Sequence, residues 1–352
     1  MRDWSLASVV GAVMLVAACG GGGGDPGIST FSSASGSGDG TASGIETGIG
    51  SDTGSGNEVP GGGVSDVSTG VPSQKSISVF VEKYALDWSL DGDETKVSVR
   101  ITDTAGNPVP DGTEVQFSTE GGQIQKSCKL SGVTEGESSI SSCSVTFATQ
   151  NRRPTDGFVS ILAWLEGEEA YVDSNGNGKY DTGEPFWDAG RLFRDDNQSK
   201  AYEAGIDELS VGNTLTGALG VGSTACAAPA SHPDYLNESS TPLSVPSTCD
   251  GVWGKSILRA SVFLPVSDPR YLGIVDVGGG EFLVYTQFGE QPTAAPAGTK
   301  LSVQNAPSGC SVSISPSSVP GSYVDPTVHK LNGTGSTCAG ATVNIVAKFG
   351  DY

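Results

Sequence analysis

Oxygen-bearing side chains recur at alternate positions in one short acidic stretch of this chain. From Asp173 to Glu184, candidate ligands fall at positions 1, 3, 5, 7, 9 and 12 of a twelve-residue segment, with Gly178 at the sixth. Ca²⁺ takes six to eight oxygen ligands at roughly 2.3–2.6 Å, and a tightly coiled loop with this spacing supplies them. The spacing predicts a calcium site formed by the side chains of Asp173, Asn175, Asn177, Asp181 and Glu184 and the main-chain carbonyl of Lys179.

The sequence around this loop differs from the helical flanks of an EF-hand. Phe158 to Val172 has the pattern of a strand followed by a turn, and Pro185 disfavours a helix directly after Glu184. The three carboxylates give the loop a formal charge of −3, which is self-repulsive without a cation. We therefore expect a calcium loop placed between β elements. The alternative is a solvated Asn-Gly turn cluster that binds no ion tightly.

A weaker copy of the loop begins 22 residues later, at Asp195. Lys200 stands where the turn glycine should be, and Ile206 stands where the closing acid should be. The copy either holds a weak second ion through Asp195, Asn197 and Glu203 or is a purely structural turn. The two replacements favour the structural interpretation. Asp188, between the loops, is a further candidate ligand for the first site.

The sequence gives no positive reason to assign an enzyme activity, and we expect no catalytic residues. It contains two histidines, His232 and His329, which we expect at the surface, and no Gly-x-Ser-x-Gly, His-Glu-x-x-His or Walker motif. The net charge is −21, from 40 acidic and 19 basic residues. Such a chain repels phosphate backbones, so nucleic acid is not an expected partner.

The first nineteen residues resemble the signal of a bacterial lipoprotein. An apolar run from Leu6 to Leu15 is too short to span a bilayer, and small residues precede Cys19. The resemblance implies that residues 1–18 are removed and that Cys19 is acylated, which anchors the chain to a membrane. An ordinary secretory signal with a chance cysteine is the alternative.

Residues 19–74 form a Gly/Ser-rich segment that we expect to be a disordered tether, since it cannot bury enough apolar surface to order itself. Gly20 after the cysteine favours, by resemblance to lipoprotein sorting rules, the outer membrane of the cell envelope. In such an oxidising location the six other cysteines are expected to form disulfides. Six cysteines allow fifteen pairings. Sequential pairing is preferred: Cys128 with Cys143, Cys226 with Cys249, and Cys310 with Cys338.

Short alternating strands follow from Lys75, and their spacing predicts a β-sandwich. They include Ile77–Val81, Val97–Ile101, Val115–Phe117, Val145–Phe147 and Phe158–Leu165. The turn from Asp103 to Phe117, with Pro108, Pro110 and Asp111-Gly112, resembles bacterial Ig-like domains of the invasin/intimin type. Together with the cysteines and the acidic loop, it is similar to Ig-like lipoproteins of Gram-negative bacteria. That resemblance implies a rigid display module with no catalytic residues.

A second copy of the pattern lies towards the C-terminus, where Pro296 to Val303 echoes Pro110 to Phe117 and Ser256 to Pro265 is a candidate first strand. We therefore predict an all-β protein. Its predicted parts are a signal peptide (1–18), a tether (19–74), an Ig-like sandwich (75–170), a calcium-loop and disulfide-closed connection (171–251) and a second Ig-like sandwich (252–352).

Two functions fit this organisation. The first is a structural or adhesive display protein, in which calcium stiffens the connection between the modules and a protein or glycan partner binds at the surface. The alternative is a carbohydrate- or solute-binding envelope protein. It would use exposed tryptophans, for which the candidates are Trp88, Trp164, Trp187 and Trp253.

Overall fold

The computed structural model of this chain describes residues 70–135, 138–209, 219–226 and 243–352, together with the backbone of an N-terminal strand, β1 (Val13–Val16). Cys19, the predicted tether up to residue 69 and His232 lie outside the described residues. The end of the predicted tether, residues 70–74, is wrong, because Ser73 and Gln74 are fully buried and their N–H groups donate to the carbonyls of Thr102 and Glu168. The fold is all-β, as predicted, and its sheets are antiparallel. Among the described residues the one helix is a 3₁₀ turn, Pro269–Tyr271, so no helix there is long and apolar enough to cross a bilayer.

The first β-sandwich consists of two sheets. One has the strand order β2-β3-β8-β5, with β7 also paired to β8, and the other has the order β11-β9-β4-β6. Their bounds are β2 Ser78–Val81, β3 Glu94–Ile101, β4 Glu114–Thr119, β5 Gln123–Ile124, β6 Ser127–Lys129, β7 Ser131–Glu135, β8 Ser138–Ala148, β9 Phe158–Glu168 and β11 Lys255–Pro265.

Alternating side chains build the core between these sheets. Val97 and Val99 of β3 face Val115 and Phe117 of β4, and all four are buried in one cluster. Because successive strand residues point to opposite faces, this period-two pattern places one face of each strand in the core. The predicted strands of this module are therefore confirmed.

The strand β11 corrects our assignment of Ser256 to Pro265 as the first strand of the second sandwich. It pairs along its whole length with β9, from Lys255 opposite Glu168 to Pro265 opposite Phe158. Its buried Leu258 and Leu264 belong to the core of the first sandwich. Alternation identifies a strand but not its partner, and this partner lies about 90 residues earlier. The predicted boundary at residue 252 is therefore wrong, because it assigns β11, a strand of the first sandwich, to the second sandwich.

The segment that carries the acidic loops is consequently an insertion within the first sandwich, since it connects β9 to β11 of the same sheet. This differs from the predicted connection between two sandwiches. Leu162 and Trp164 on the outer face of β9 pack against Leu192 of the insertion. The insertion thus covers the second face of β9, which explains why that strand is apolar almost throughout.

A second β-sandwich follows β11. Its larger sheet has the order β12-β13-β17-β16, with β14 paired to β13, and its smaller sheet has the order β1-β18-β15. Phe282, Val284 and Leu331 from the larger sheet meet Val343 and Ile345 from the smaller one in a separate core. The bounds are β12 Leu272–Gly278, β13 Glu281–Thr286, β14 Thr293–Ala294, β15 Lys300–Gln304, β16 Ser311–Ser315, β17 Thr327–Thr334 and β18 Ala341–Lys348.

Candidate functional site

The first acidic loop is organised around the carboxylate of Asp173. Its Oδ1 accepts hydrogen bonds from the N–H groups of Gly176 (2.7 Å) and Asn177 (3.2 Å), and its Oδ2 accepts one from Gly178 (2.7 Å). Gly176 and Gly178 have φ near +73°, a region that favours glycine. Burial would raise the pKa of Asp173, but these backbone hydrogen bonds, with one from Asn175, hold the pKa below its usual value.

The remaining predicted ligands converge on the same loop. The side-chain amides of Asn175 and Asn177 each donate to Oδ2 of Asp181 at 2.7 Å. Glu184 closes the loop, because its two carboxylate oxygens accept from the N–H groups of Ser174 (2.7 Å) and Asp181 (3.0 Å). The predicted side-chain ligands are therefore joined in one hydrogen-bonded unit.

Lys179 and Asp188 are the two other candidate ligands that the sequence suggested for the first loop. The N–H of Lys179 donates to the Asn177 side chain at 2.9 Å, and its own side chain is exposed. Asp188 accepts through Oδ2 from the N–H of Gly251 at 2.7 Å, and its Oδ1 is buried without a hydrogen-bond partner among the described residues.

Among the residues that the structure describes, no three His, Cys, Asp or Glu side chains are grouped closely enough to hold a metal ion. In the first loop, the carboxylates are separated by the amides of Asn175 and Asn177, which present Nδ2 to Asp181. A half-turn of these amides exchanges nitrogen for oxygen without moving the backbone, at the cost of the hydrogen bonds that their Oδ1 atoms accept from the N–H groups of Asn177 and Lys179. The donor set then consists of carboxylate, amide and carbonyl oxygens, which is the chemistry that Ca²⁺ prefers.

The second loop repeats the hydrogen-bonding frame of the first. Asp195 accepts from the N–H groups of Ser199 (3.1 Å) and Lys200 (2.9 Å), as Asp173 does from Asn177 and Gly178. Lys200 has φ near +60°, although it is not a glycine. The Asn197 amide donates to the Glu203 carboxylate, in the place of Asn175 and Asp181.

Asp207 closes the second loop and was missed by sequence reasoning. Its Oδ1 accepts from the N–H of Asp196 at 3.0 Å and its Oδ2 from that of Glu203 at 2.6 Å, the two contacts that Glu184 makes in the first loop. Ile206, at the expected position, is 53% exposed. The shorter Asp side chain sits one residue later and reaches the same backbone groups. The sequence feature that could have identified this closing residue is the acid at position 13 of the copy, counted from Asp195.

Aromatic pairs support both loops in the same way. Tyr171 packs edge-to-face on Tyr180 with ring centroids 5.8 Å apart, and Phe193 packs on Tyr202 at 5.5 Å, 22 residues later in each case. In the first loop, Tyr180 also stacks on Trp253 at 4.5 Å, with the ring planes 16° apart. The first loop is thereby connected to the residues that precede β11.

Glu169 and Arg259 form a buried polar centre beneath the insertion. The Glu169 carboxylate accepts from the N–H groups of Ala189 (2.7 Å) and Gly254 (3.1 Å). Burial raises the pKa of Glu169 to about 7, against these hydrogen bonds, with a further increase from nearby carboxylates. Burial also lowers the pKa of Arg259 to about 10, partly offset by Glu169. Arg259 donates to the carbonyl oxygens of Leu243 (3.0 Å) and Gly190 (2.9 Å).

Three disulfides link the cysteines in the preferred sequential order, Cys128–Cys143, Cys226–Cys249 and Cys310–Cys338. The first joins β6 to β8 and therefore ties the two sheets of the first sandwich together. Cys249 also bridges to β10 (Val221–Thr224), so the second disulfide fixes this short strand beside the insertion.

Three of the four candidate tryptophans and His329 are buried. Trp88, Trp164 and Trp187 are at most 6% exposed, whereas Trp253 is partly exposed and stacks on Tyr180. Burial of three candidates does not support the carbohydrate platform. The expected surface position of His329 is wrong, because this residue is fully buried on β17 between the Thr327 hydroxyl (2.8 Å) and the Pro316 carbonyl (2.7 Å).

Comparison of the chain with known protein families, curated proteins and solved structures finds no match.

Proposed function

We propose that this protein is a non-enzymatic, lipid-anchored display module of the bacterial cell envelope whose inserted segment is stiffened by calcium. The observation that carries the proposal is the loop from Asp173 to Glu184, in which every side-chain ligand position belongs to one hydrogen-bonded frame. Oxygen donors held in a preformed loop cost little ordering free energy when an ion binds. We therefore assign the loop as a calcium site.

The charge of the loop gives calcium its mechanical role. Asp173, Asp181 and Glu184 are drawn into one turn, where their mutual repulsion opposes the closed conformation. A bound Ca²⁺ offsets this repulsion and links the first, ninth and twelfth residues of the loop. Because Tyr180 stacks on Trp253, the closed loop also holds the insertion against the start of β11.

The shared frame extends the proposal to the second loop, with Asp195, Asn197, Glu203 and Asp207 as ligands. Asp195 is buried, whereas its counterpart Asp173 in the first loop is partly exposed. Burial raises the pKa of Asp195 and so opposes its charged form. We expect this second site to bind calcium more weakly than the first.

The anchor and the partner complete the proposed function. Acylated Cys19 and the Gly/Ser-rich tether would hold the two sandwiches off the membrane, with a protein or glycan as the surface ligand. The alternative function, binding of carbohydrate or solute through exposed tryptophans, would rest on the partly exposed Trp253 or would require one of the three buried rings to become accessible. A glycan array with the full chain distinguishes a sugar partner from a protein partner.

Thermal unfolding with and without calcium tests the calcium proposal. A ligand at one hundred times its Kd stabilises the native state by about 2.7 kcal/mol, so the Tm of the full chain should rise on adding calcium. Asp181→Asn should reduce the rise, because it removes a carboxylate from the centre of the loop. Asp325→Asn, at an exposed acid far along the chain, is the matched control and should leave the rise unchanged. Equal calcium responses in both variants would refute the assignment of this loop.

A further inference from the structure

The second sandwich has one strand edge covered only by residues that are predicted to be removed. β15 pairs with the C-terminal part of β18, residues Asn344–Lys348. On the other side of β18, Val13 to Val16 lie opposite Asn344 to Ala341. Among the described residues, nothing besides β1 pairs with this edge.

Removal of residues 1–18 would take β1 away with the signal peptide. The smaller sheet would then keep two strands against five in the sheet that it covers. The main-chain groups of Val343, which lies opposite Met14, would lose their partners on that side, whereas the N–H of Ala341 bonds to the Cys338 carbonyl. A strand edge in this state is a template for pairing with another chain.

The β18 edge lacks the features that usually prevent such pairing. Residues 341–347 contain no charged residue and no proline, and Lys348 comes only at the end of the strand. The edge of β11 is different. There the side chain of Gln74 donates to the Arg259 carbonyl and accepts from the Arg259 N–H, both at 2.9 Å. Gln74 thus occupies main-chain groups of β11 that a foreign strand would use.

We propose that residues 341–344 of β18 form a strand-acceptor site in the mature chain, filled by an extended, uncharged, apolar β-strand of a second protein. The strand runs antiparallel to β18, and its main chain supplies most of the recognition. The occupant is inferred from Val13–Val16, an all-apolar strand of four residues seated on the same edge. This proposal rests on the proposed function in one respect, the removal of residues 1–18.

A peptide comprising residues 10–18 of this chain, with a fluorophore and a lysine tail for solubility, is the probe. It should bind saturably to the mature protein purified from membranes, as measured by fluorescence anisotropy. An N-methyl group on Met14 of the peptide should weaken binding at least tenfold, because Met14 lies opposite Val343, whose N–H and C=O face β1 while those of Asn344 face β15. An N-methyl group on Leu15 of the peptide, whose N–H points away from β18, should leave binding unchanged.

A cysteine trap tests the register independently of affinity. Leu15 lies directly opposite Thr342, so a peptide with cysteine at the Leu15 position should crosslink to Thr342→Cys. A peptide with cysteine at the Met14 position should crosslink much less.

The mass of the purified chain separates failure of the acceptor site from failure of the proposed function. A processed chain that starts at Cys19 and does not bind the peptide overturns the acceptor site alone. Retention of residues 1–18 contradicts both the processing and the acceptor site, because the edge then has its occupant in the same chain. Self-association of the processed chain that an excess of the peptide abolishes would overturn the second-protein occupant in favour of another copy.

Discussion

Tyr180 stacks on Trp253 with ring centroids 4.5 Å apart and planes 16° from parallel, although the two residues are 73 positions apart in the chain. Tyr180 is the eighth residue of the first acidic loop and adjoins Asp181. Trp253 lies two residues before β11, and its indole N–H donates to the Glu169 carbonyl at 3.0 Å. Closure of the loop is thus coupled to the end of β9 and the start of β11.

This coupling makes Trp253 a reporter of calcium. Calcium added to the full chain should change the tryptophan emission, because loop closure alters the contact between Tyr180 and Trp253. Trp253→Phe should remove most of the change. Trp88→Phe is the matched control, since Trp88 is buried in the first core against Phe147. It should lower the total emission and keep the calcium-dependent part.

Asp207 should stabilise the fold whether or not calcium binds. Asp207→Ala leaves the N–H groups of Asp196 and Glu203 without their acceptor, which costs about 1–3 kcal/mol for each group that stays buried. Ile206→Ala, the neighbouring control, changes an exposed side chain and should cost less than about 0.5 kcal/mol. Urea unfolding in the presence of a chelator measures both variants. Equal losses would show that Asp207 does not close the loop.

Glu169 should make stability depend on pH. Its folded pKa is about 7 against 4.5 for the free group, so the folded chain retains a proton that the unfolded chain releases. The contribution of this group to stability therefore falls as pH rises from about 4.5 to about 7, by up to about 1.4 kcal/mol per pH unit.

Glu169→Gln should flatten this slope and destabilise the chain most at low pH, where the wild-type carboxyl is neutral, because the amide nitrogen cannot accept one of the two N–H groups. The difference from the wild type should shrink as pH rises and the buried carboxyl ionises. Glu166→Gln, at an exposed acid of β9, is the control and should keep the wild-type slope. Urea unfolding at several pH values gives both slopes. An unchanged slope in Glu169→Gln would contradict the raised pKa.

Gly167 should tolerate no side chain. A Cβ there would lie 2.3 Å from Cδ1 of Leu258 and 2.4 Å from the Pro72 carbonyl oxygen, so Gly167→Ala should cost about 1–3 kcal/mol. Gly132→Ala is the matched control, since Gly132 also lies in a strand and the nearest atom to its Cβ would be 3.9 Å away. A smaller loss for Gly167→Ala than for Gly132→Ala, by thermal unfolding, would contradict the close packing of β9 on β11.

The sequence was sufficient for strands but not for their partners. Val97, Val99, Val115 and Phe117 alternate strictly, and this local pattern was enough to predict β3 and β4. The pairing of β11 with β9 depends on a contact across the whole insertion, which periodicity does not encode. Burial of the tryptophans was likewise undetermined, because a ring beside polar residues fits either a core or a surface.

For the candidate site, the sequence predicted the first loop but not the hydrogen bonds of the second. Spacing identified the first loop, since its predicted ligands lie within twelve residues. A position-by-position comparison of the sequence does not detect the hydrogen-bonding frame that the second loop shares with the first. A one-residue shift, with Asp207 in place of Glu184, preserves the hydrogen bonds and breaks the spacing. Lys200 has a positive φ, which the sequence does not predict because this conformation is normally expected only at glycine.

Equilibrium dialysis of the full chain against calcium tests the central claim most directly. The account predicts two ions per chain, a tighter one in the first loop and a weaker one in the second. Asp181→Ala should lose the tighter ion, and Asp207→Ala should lose the weaker one. No uptake by the folded wild-type chain at millimolar calcium would contradict the claim that these loops are calcium sites.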